Sequence, residues 1–188
     1  MSTQTKAPVN GVPVDQLVET MSAIRKDPEI AKFQFRAHNE WQDGGHNRVT
    51  IKSFYGAKQE DETRTEPFIA HADEPPVLLG KDKGPNPVEH LLTALSGCLT
   101  TSLVYHAAVM GIELESVESR LEGDLDLHGF LGMDDNVRNG YEQIRVTFKI
   151  KADAPEEKLD DLVRIAQERS PVFDCISNPV NVAVTRAR

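Results

Sequence analysis

One thiol stands out among the residues that could do chemistry. Cys98 sits inside an apolar run from Thr93 to Ala108, preceded by Gly84-Pro85-Asn86-Pro87-Val88-Glu89-His90-Leu91-Leu92. A reactive cysteine there would make the chain a redox enzyme, because the thiolate is a nucleophile once a cationic or hydrogen-bonding neighbour lowers its pKa. At helical spacing Cys98 shares a stripe with Leu91, Leu95, Ser102 and Tyr105, and His90 and His106 stand eight residues away on either side. The helix itself supplies no cation for the thiol. A lone cysteine on an apolar helix is more often a small buried hydrophobe, so spacing alone favours a core residue.

The other candidates have equally plain structural readings. Glu89 follows Asn86 by three residues with Pro87 between them, which is a capping box with Asn as N-cap. Nine residues before Cys98, it falls roughly on the opposite helix face. His46 and Arg48 lie beside the turn Gln42-Asp43-Gly44-Gly45, where basic side chains are usually solvated. His71, Asp73 and Glu74 cluster in sequence without the ligand spacing of a metal site, so neither metal nor cofactor is expected. A metal role through His71 or His106 is kept only as a third reading, to be settled by elemental analysis. The chain has no G-x-S-x-G, no P-loop and no G-x-G-x-x-G.

These residues must be positioned by a recognisable series of elements. Val14, Leu17, Val18, Met21 and Ile24 recur at helical spacing, predicting a short amphipathic helix over Val14–Lys26. The runs Phe33–Trp41 and Val49–Phe54 flank the turn and read as a β-hairpin, and Pro67–Ala72 as a further strand. Asp73–Pro87 is a connector rich in Pro, Gly and charge. The long helix opens at Asn86-Pro87 and stops at Gly111. Ile112–Leu127 and Gln143–Ile150 read as strands around a glycine-rich loop, Pro155–Arg169 as a helix, and Pro179–Thr185 as a closing strand. Strands, long helix, strands, helix and strand in that order make an α+β domain.

Composition bounds the partners. With 188 residues the chain is expected to form one domain, 13–188, behind a disordered tail, 1–12. A net charge of −9 argues against nucleic-acid and anionic-membrane partners. Glu89, His90 and His106 interrupt the one segment that approaches the length of a membrane span. Two cysteines, no apolar leader and no C-x-x-C point to a cytoplasmic protein with reduced thiols.

The run from Gly84 to Cys98, together with Arg138-Asn139-Gly140-Tyr141 before a strand and Ser170-Pro171-Val172 after a helix, resembles the OsmC/Ohr family, the osmotically inducible and organic hydroperoxide resistance proteins. The resemblance spans roughly residues 33–187 and is closest to an OsmC-like branch with an extra N-terminal helix. It implies an intertwined homodimer whose strands wrap around long central helices. It also implies a peroxidase in which a helix cysteine attacks the O–O bond of a small organic hydroperoxide, becomes a sulfenic acid and condenses with a second cysteine. An Arg and a Glu hold the thiolate and the peroxide. Carried over by position, the nucleophile is Cys98, which reverses the reading from spacing. The Arg falls on His46 or Arg48, with Arg48 preferred because it is always charged. The Glu falls on Glu89, one place along from the peroxidase position.

One departure matters. The family's second cysteine corresponds to Ser170, and Cys175 lies five residues later, turned by about 140° if the helix continues. Pro171 can reset that geometry, which leaves Cys175 as the substitute; otherwise an external thiol must act as reductant. The expected function is therefore thiol-dependent reduction of organic hydroperoxides in oxidative-stress defence. The rival is a non-catalytic dimer that holds a small hydrophobic ligand.

Overall fold

The tight turn at Gly44-Gly45 folds β1 (His38–Asp43) back onto β2 (His46–Ile51), and β5 (Phe68–Ala72) pairs with the other edge of β2. All three strands are antiparallel, and Glu40, Arg48 and His71 stand directly opposite one another across the sheet. The computed structural model describes residues 7–187 and divides the chain into two compact units. One is formed mainly by residues 13–91, and the other by residues 8–12 and 92 onward.

The first unit opens with α1 (Val14–Lys26), which ends where the sequence predicts. A second hairpin, β3 (Phe54–Gly56) and β4 (Gln59–Asp61), turns on Ala57 and Lys58, both at positive φ. Sequence reading misses it because that turn geometry normally announces itself with Asn-Gly or Gly. Phe33 stacks on both Phe35 and Phe54 of β3, with Phe35 and Phe54 tilted against each other, and the Arg64 guanidinium lies over Phe54 and Phe68.

The second unit holds the packed core. The long helix α2 runs from Pro87 to Val109, and the chain leaves it at Gly111, whose φ of 70° is the left-handed helix exit that glycine adopts without strain. After α2 come β6 (Leu114–Asp124), the single turn α3 (Leu127–Phe130) and β7 (Gln143–Ala152), with β6 and β7 pairing along their length. Then α4 (Glu156–Arg169) presents Leu159, Leu162, Val163 and Ala166 at the i, i+3, i+4, i+7 spacing of one face. Leu103 and Ala107 of α2 meet that face, and Val117, Phe148 and Ile150 of the ladder pack against them. Alternation along β7 sends Ile144, Val146, Phe148 and Ile150 to one side and charged residues to the other.

Three expectations change. Pro179–Thr185 forms no strand: Val180, Val182 and Val184 alternate, but the segment pairs with nothing among the described residues, and Val184 is 90% exposed. A strand needs an edge to bond to, and alternation alone cannot supply one. The expected tail falls partly on residues 1–6, which lie outside the described residues. Pro8–Val12 is anchored instead: the Asn10 side chain donates to the Ile112 carbonyl and accepts from the Leu114 N–H, and Val12 is buried. Lastly, α2 does have the length and apolar composition of a membrane-spanning helix. Glu89 and His90 fall in its first turns and His106 in its last, so the stretch between them is free of charged residues, and one stripe of the helix, Leu95, Leu99, Leu103 and Ala107, is buried in the protein.

Candidate functional site

Cys98 flanks the buried stripe of α2. Leu95 and Leu99 beside it are buried, whereas Leu91 and Tyr105 are exposed, and the thiol between these two surfaces is half-buried. It therefore faces both ways, neither sealed in the core nor loose in water. Such a position suits a thiol that must meet an apolar substrate. The core reading that spacing favours accounts for Leu95 and Leu99 but not for the open side.

Glu89 forms the expected capping box. Its N–H donates to Asn86 Oδ1 at 2.9 Å, and its Oε2 accepts from the Asn86 N–H at 2.8 Å. The carboxylate thereby satisfies a backbone donor at the helix start, where the macrodipole also favours negative charge.

Arg48 sits in the middle of a polar row on one sheet face. Glu40 is its partner across β1–β2 and His71 its partner across β2–β5. The guanidinium donates to Thr50 Oγ1 at 3.2 Å and to Glu40 Oε2 at 3.4 Å, a long contact, and the side chain is 39% exposed. These bonds orient the guanidinium without exhausting its five donors.

A second polar arrangement in the same unit escapes sequence reading. His46 Nε2 and His71 Nδ1 share a hydrogen bond of 3.0 Å. His90, in the first turns of α2, donates from Nε2 to the His71 carbonyl at 2.9 Å. Pro85 O accepts from the Asp73 N–H at 3.4 Å. Gly84 makes this close approach feasible, since a Cβ there would lie 2.2 Å from the His71 carbonyl oxygen. The strand register β2–β5 brings the histidines together, and that register is not written in either segment alone.

Asp73 is 1% exposed, and its carboxylate accepts the N–H groups of Glu74 (2.8 Å), Lys81 (3.1 Å) and Lys83 (3.2 Å). Burial pushes its pKa up; the three N–H bonds, together with the charge of nearby His46, more than offset this and hold it below the ordinary carboxylate value. Asp73 thus organises the connector and does not converge with His71 and Glu74. Among the described residues no three His, Cys, Asp or Glu side chains are arranged to hold a metal ion. His106 is likewise occupied, donating from Nδ1 to Ser102 O at 2.8 Å.

Ser170 and Cys175 occupy a helix junction. Helix α4 ends at Arg169, Ser170 is extended, and α5 (Pro171–Ser177) starts afresh, so Pro171 does break the helical phase. Ser170 is 1% exposed and its Oγ accepts from the Phe173 N–H, capping α5. Cys175 is exposed, and both cysteines are free thiols. Elsewhere in this unit a recess of about 290 Å³ is lined by Arg120, Glu122, Arg145 and Thr147. Its guanidiniums are already paired with Glu122 and Asp124.

A capped, apolar central helix with one half-buried thiol, between a strand hairpin before it and a strand ladder after it, defines an α+β fold of the OsmC type. The family model for OsmC-like proteins matches residues 80–185, more than half of the chain, and the chain belongs to that family. Solved structures agree on the fold. An OsmC-like protein from Mycoplasma pneumoniae superposes with a TM-score of 0.58 at 13% identity, covering 78% of this chain and 89% of that one. An OsmC-like protein of unknown function from Vibrio cholerae gives 0.56 at 14% identity over 75% and 92%. A Legionella pneumophila protein described as an organic hydroperoxide resistance protein OsmC gives 0.51 at 17% identity over 77% and 90%. No curated protein matches the chain by sequence.

Proposed function

We propose that the protein is a homodimeric, thiol-dependent peroxidase for small organic hydroperoxides, with Cys98 as nucleophile. The half-buried position of Cys98 on an otherwise apolar helix carries this reading. The Cys98 thiolate attacks the peroxide: an S–O bond forms, the O–O bond breaks, and the alkoxide leaves as an alcohol after taking a proton. The sulfenic acid then condenses with an external thiol, expelling water and leaving a mixed disulfide, which a second thiol reduces. The family resemblance assigns Arg48 as the cation that holds the peroxide, and Glu89 caps the start of α2. Ser170, buried and committed to capping α5, takes no part in resolution, so the reductant comes from outside unless Cys175 reaches the sulfenic acid. The leucines of α2 favour an apolar peroxide over hydrogen peroxide. Support for the dimer comes from apolar side chains left open on α2 and around Phe35, and from the unpaired segment after Pro179.

Consumption of cumene hydroperoxide with excess dithiol tests the reading. Wild-type protein turns the peroxide over, and Cys98→Ser abolishes turnover; equal rates for the two would overturn it. The second reading, a non-catalytic dimer holding an apolar ligand, is favoured by Ser170 alone, since a buried cap stands where a resolving thiol belongs. It predicts binding of an apolar fluorescent probe that Cys98→Ser does not diminish, with no peroxide consumption.

A further inference from the structure

The polar row around Arg48 contains two histidines, His46 and His71, that bond to each other across β2 and β5. We infer that His46 and His71 form a positioning pair that fixes the Arg48 guanidinium and makes its action sensitive to acid. This rests on the peroxidase reading for Arg48, but the pair itself is a feature of the first unit alone.

The geometry is specific. Residues 46 and 48 are two apart on β2 and share a face, and His71 stands directly opposite Arg48 on β5. His71 is therefore one wall of the guanidinium's position, and Glu40, opposite Arg48 on β1, is the other. The His71 ring is held by its 3.0 Å bond to His46, and its backbone is held by His90 at the start of α2. One continuous set of bonds thus links the strand bearing Arg48 to the helix turn bearing Glu89.

The bond between the two rings needs one nitrogen that carries no proton. Neutral or singly protonated, the pair keeps N–H···N. Doubly protonated, it sets two N–H groups against each other and adds a cation beside the Arg48 guanidinium. The charged groups around the pair are Asp43, opposite His46 and paired with Lys81; Asp73 and Glu74 after β5; Arg48 itself; and His90. Asp43 and Asp73 both feel the His46 charge. A bond of this kind joins the two rings only while one of the facing nitrogens is bare, and its loss frees the His71 ring beside Arg48.

The test separates the pair from the chemistry. His46→Gln keeps an amide able to hydrogen-bond near the position of Nε2 and cannot gain a charge; His46→Leu removes the hydrogen bond. Two readouts follow: the rate at which cumene hydroperoxide oxidises Cys98 between pH 5 and pH 8, and the histidine ring ¹⁵N signals across the same titration. His46→Leu slows oxidation at neutral pH by roughly tenfold, a modest share of what displacing a catalytic group by an ångström costs. His46→Gln restores the rate and flattens the acid limb of the wild-type profile. In the wild type, the His46 and His71 ring nitrogens shift together as the pH falls. Unchanged rate and profile in His46→Leu, with wild-type protein active, would overturn the inference. If peroxide leaves wild-type Cys98 untouched, the peroxidase reading falls instead, and the pair is decided by the NMR alone: independent titration of the two rings sinks it.

Discussion

Leu103, Ala107, Leu159, Leu162 and Ala166 of the second unit are at most 8% exposed and touch one another, whereas Ala72, at 9%, is the one apolar side chain of the first unit counted as buried among the described residues. The first unit instead displays Phe33, Phe35, Trp41 and Phe68, each more than half exposed. Its order comes from strand pairing, the Asp73 carboxylate and the histidine bonds. Apolar side chains left open on this scale are suited to being covered by another surface. The contrast teaches that half of this chain carries its own core, while the other half presents apolar surface suited to a partner copy and polar geometry suited to a site.

Substitutions at five positions break or sharpen that contrast. Leu162→Ala empties fully buried volume in the second unit and costs about 2–5 kcal/mol in chemical denaturation; Leu103→Ala behaves alike. Phe35→Asp, in the first unit, spares that core but weakens the proposed dimer by roughly 2 kcal/mol, about thirtyfold in Kd by sedimentation. A wild-type monomer at micromolar concentration would remove the basis of that prediction.

Asp73→Asn lowers Tm by several degrees at neutral pH, through the first unit alone. Asp73 has a depressed pKa in the folded chain, so its stabilisation is complete above the unfolded carboxylate value near 3.9 and fades as the pH falls through the folded value. The wild type therefore loses this contribution only in strong acid, and the variant shows a smaller loss of Tm there. An unchanged acid profile in the variant would show that the carboxylate's charge is irrelevant. Ser170→Ala removes the α5 cap in the second unit at a cost of about 1 kcal/mol. Ser170→Cys tests the same position chemically: after peroxide, a disulfide with Cys98 is expected by mass if the family's resolving geometry survives.

The second unit is also the more legible one in sequence. Helix α4 carries a clear 3.6 period, the unit's strands alternate, and Pro, Asn and Gly mark the ends of the apolar α2. The capping box at Asn86 and Glu89 and the break at Pro171 are local signals, so residue type and spacing suffice to find them. The first unit yields α1, the β1–β2 turn and β5 for the same reason, but not the Ala57-Lys58 hairpin, whose turn lacks Asn or Gly. The His46–His71 pair and the Asp73 nest depend on the β2–β5 register and on a folded connector, which no single window of sequence contains. Pro179–Thr185 errs the other way: a good local pattern is present, but the edge it needs is absent among the described residues. For Cys98, spacing gives the helix stripe but not the degree of burial, which depends on what covers the side facing Tyr105.

The most direct test of the account is intact-mass analysis of the reduced protein after one equivalent of cumene hydroperoxide, with and without a sulfenic-acid trap. The account predicts a single added oxygen, captured by the trap on the peptide that contains Cys98 and absent from Cys98→Ser. Loss of two hydrogens instead would identify Cys175 as the resolving thiol and dispense with the external reductant. A protein that emerges unmodified, with both thiols free, would contradict the peroxidase reading and leave the binding protein in its place.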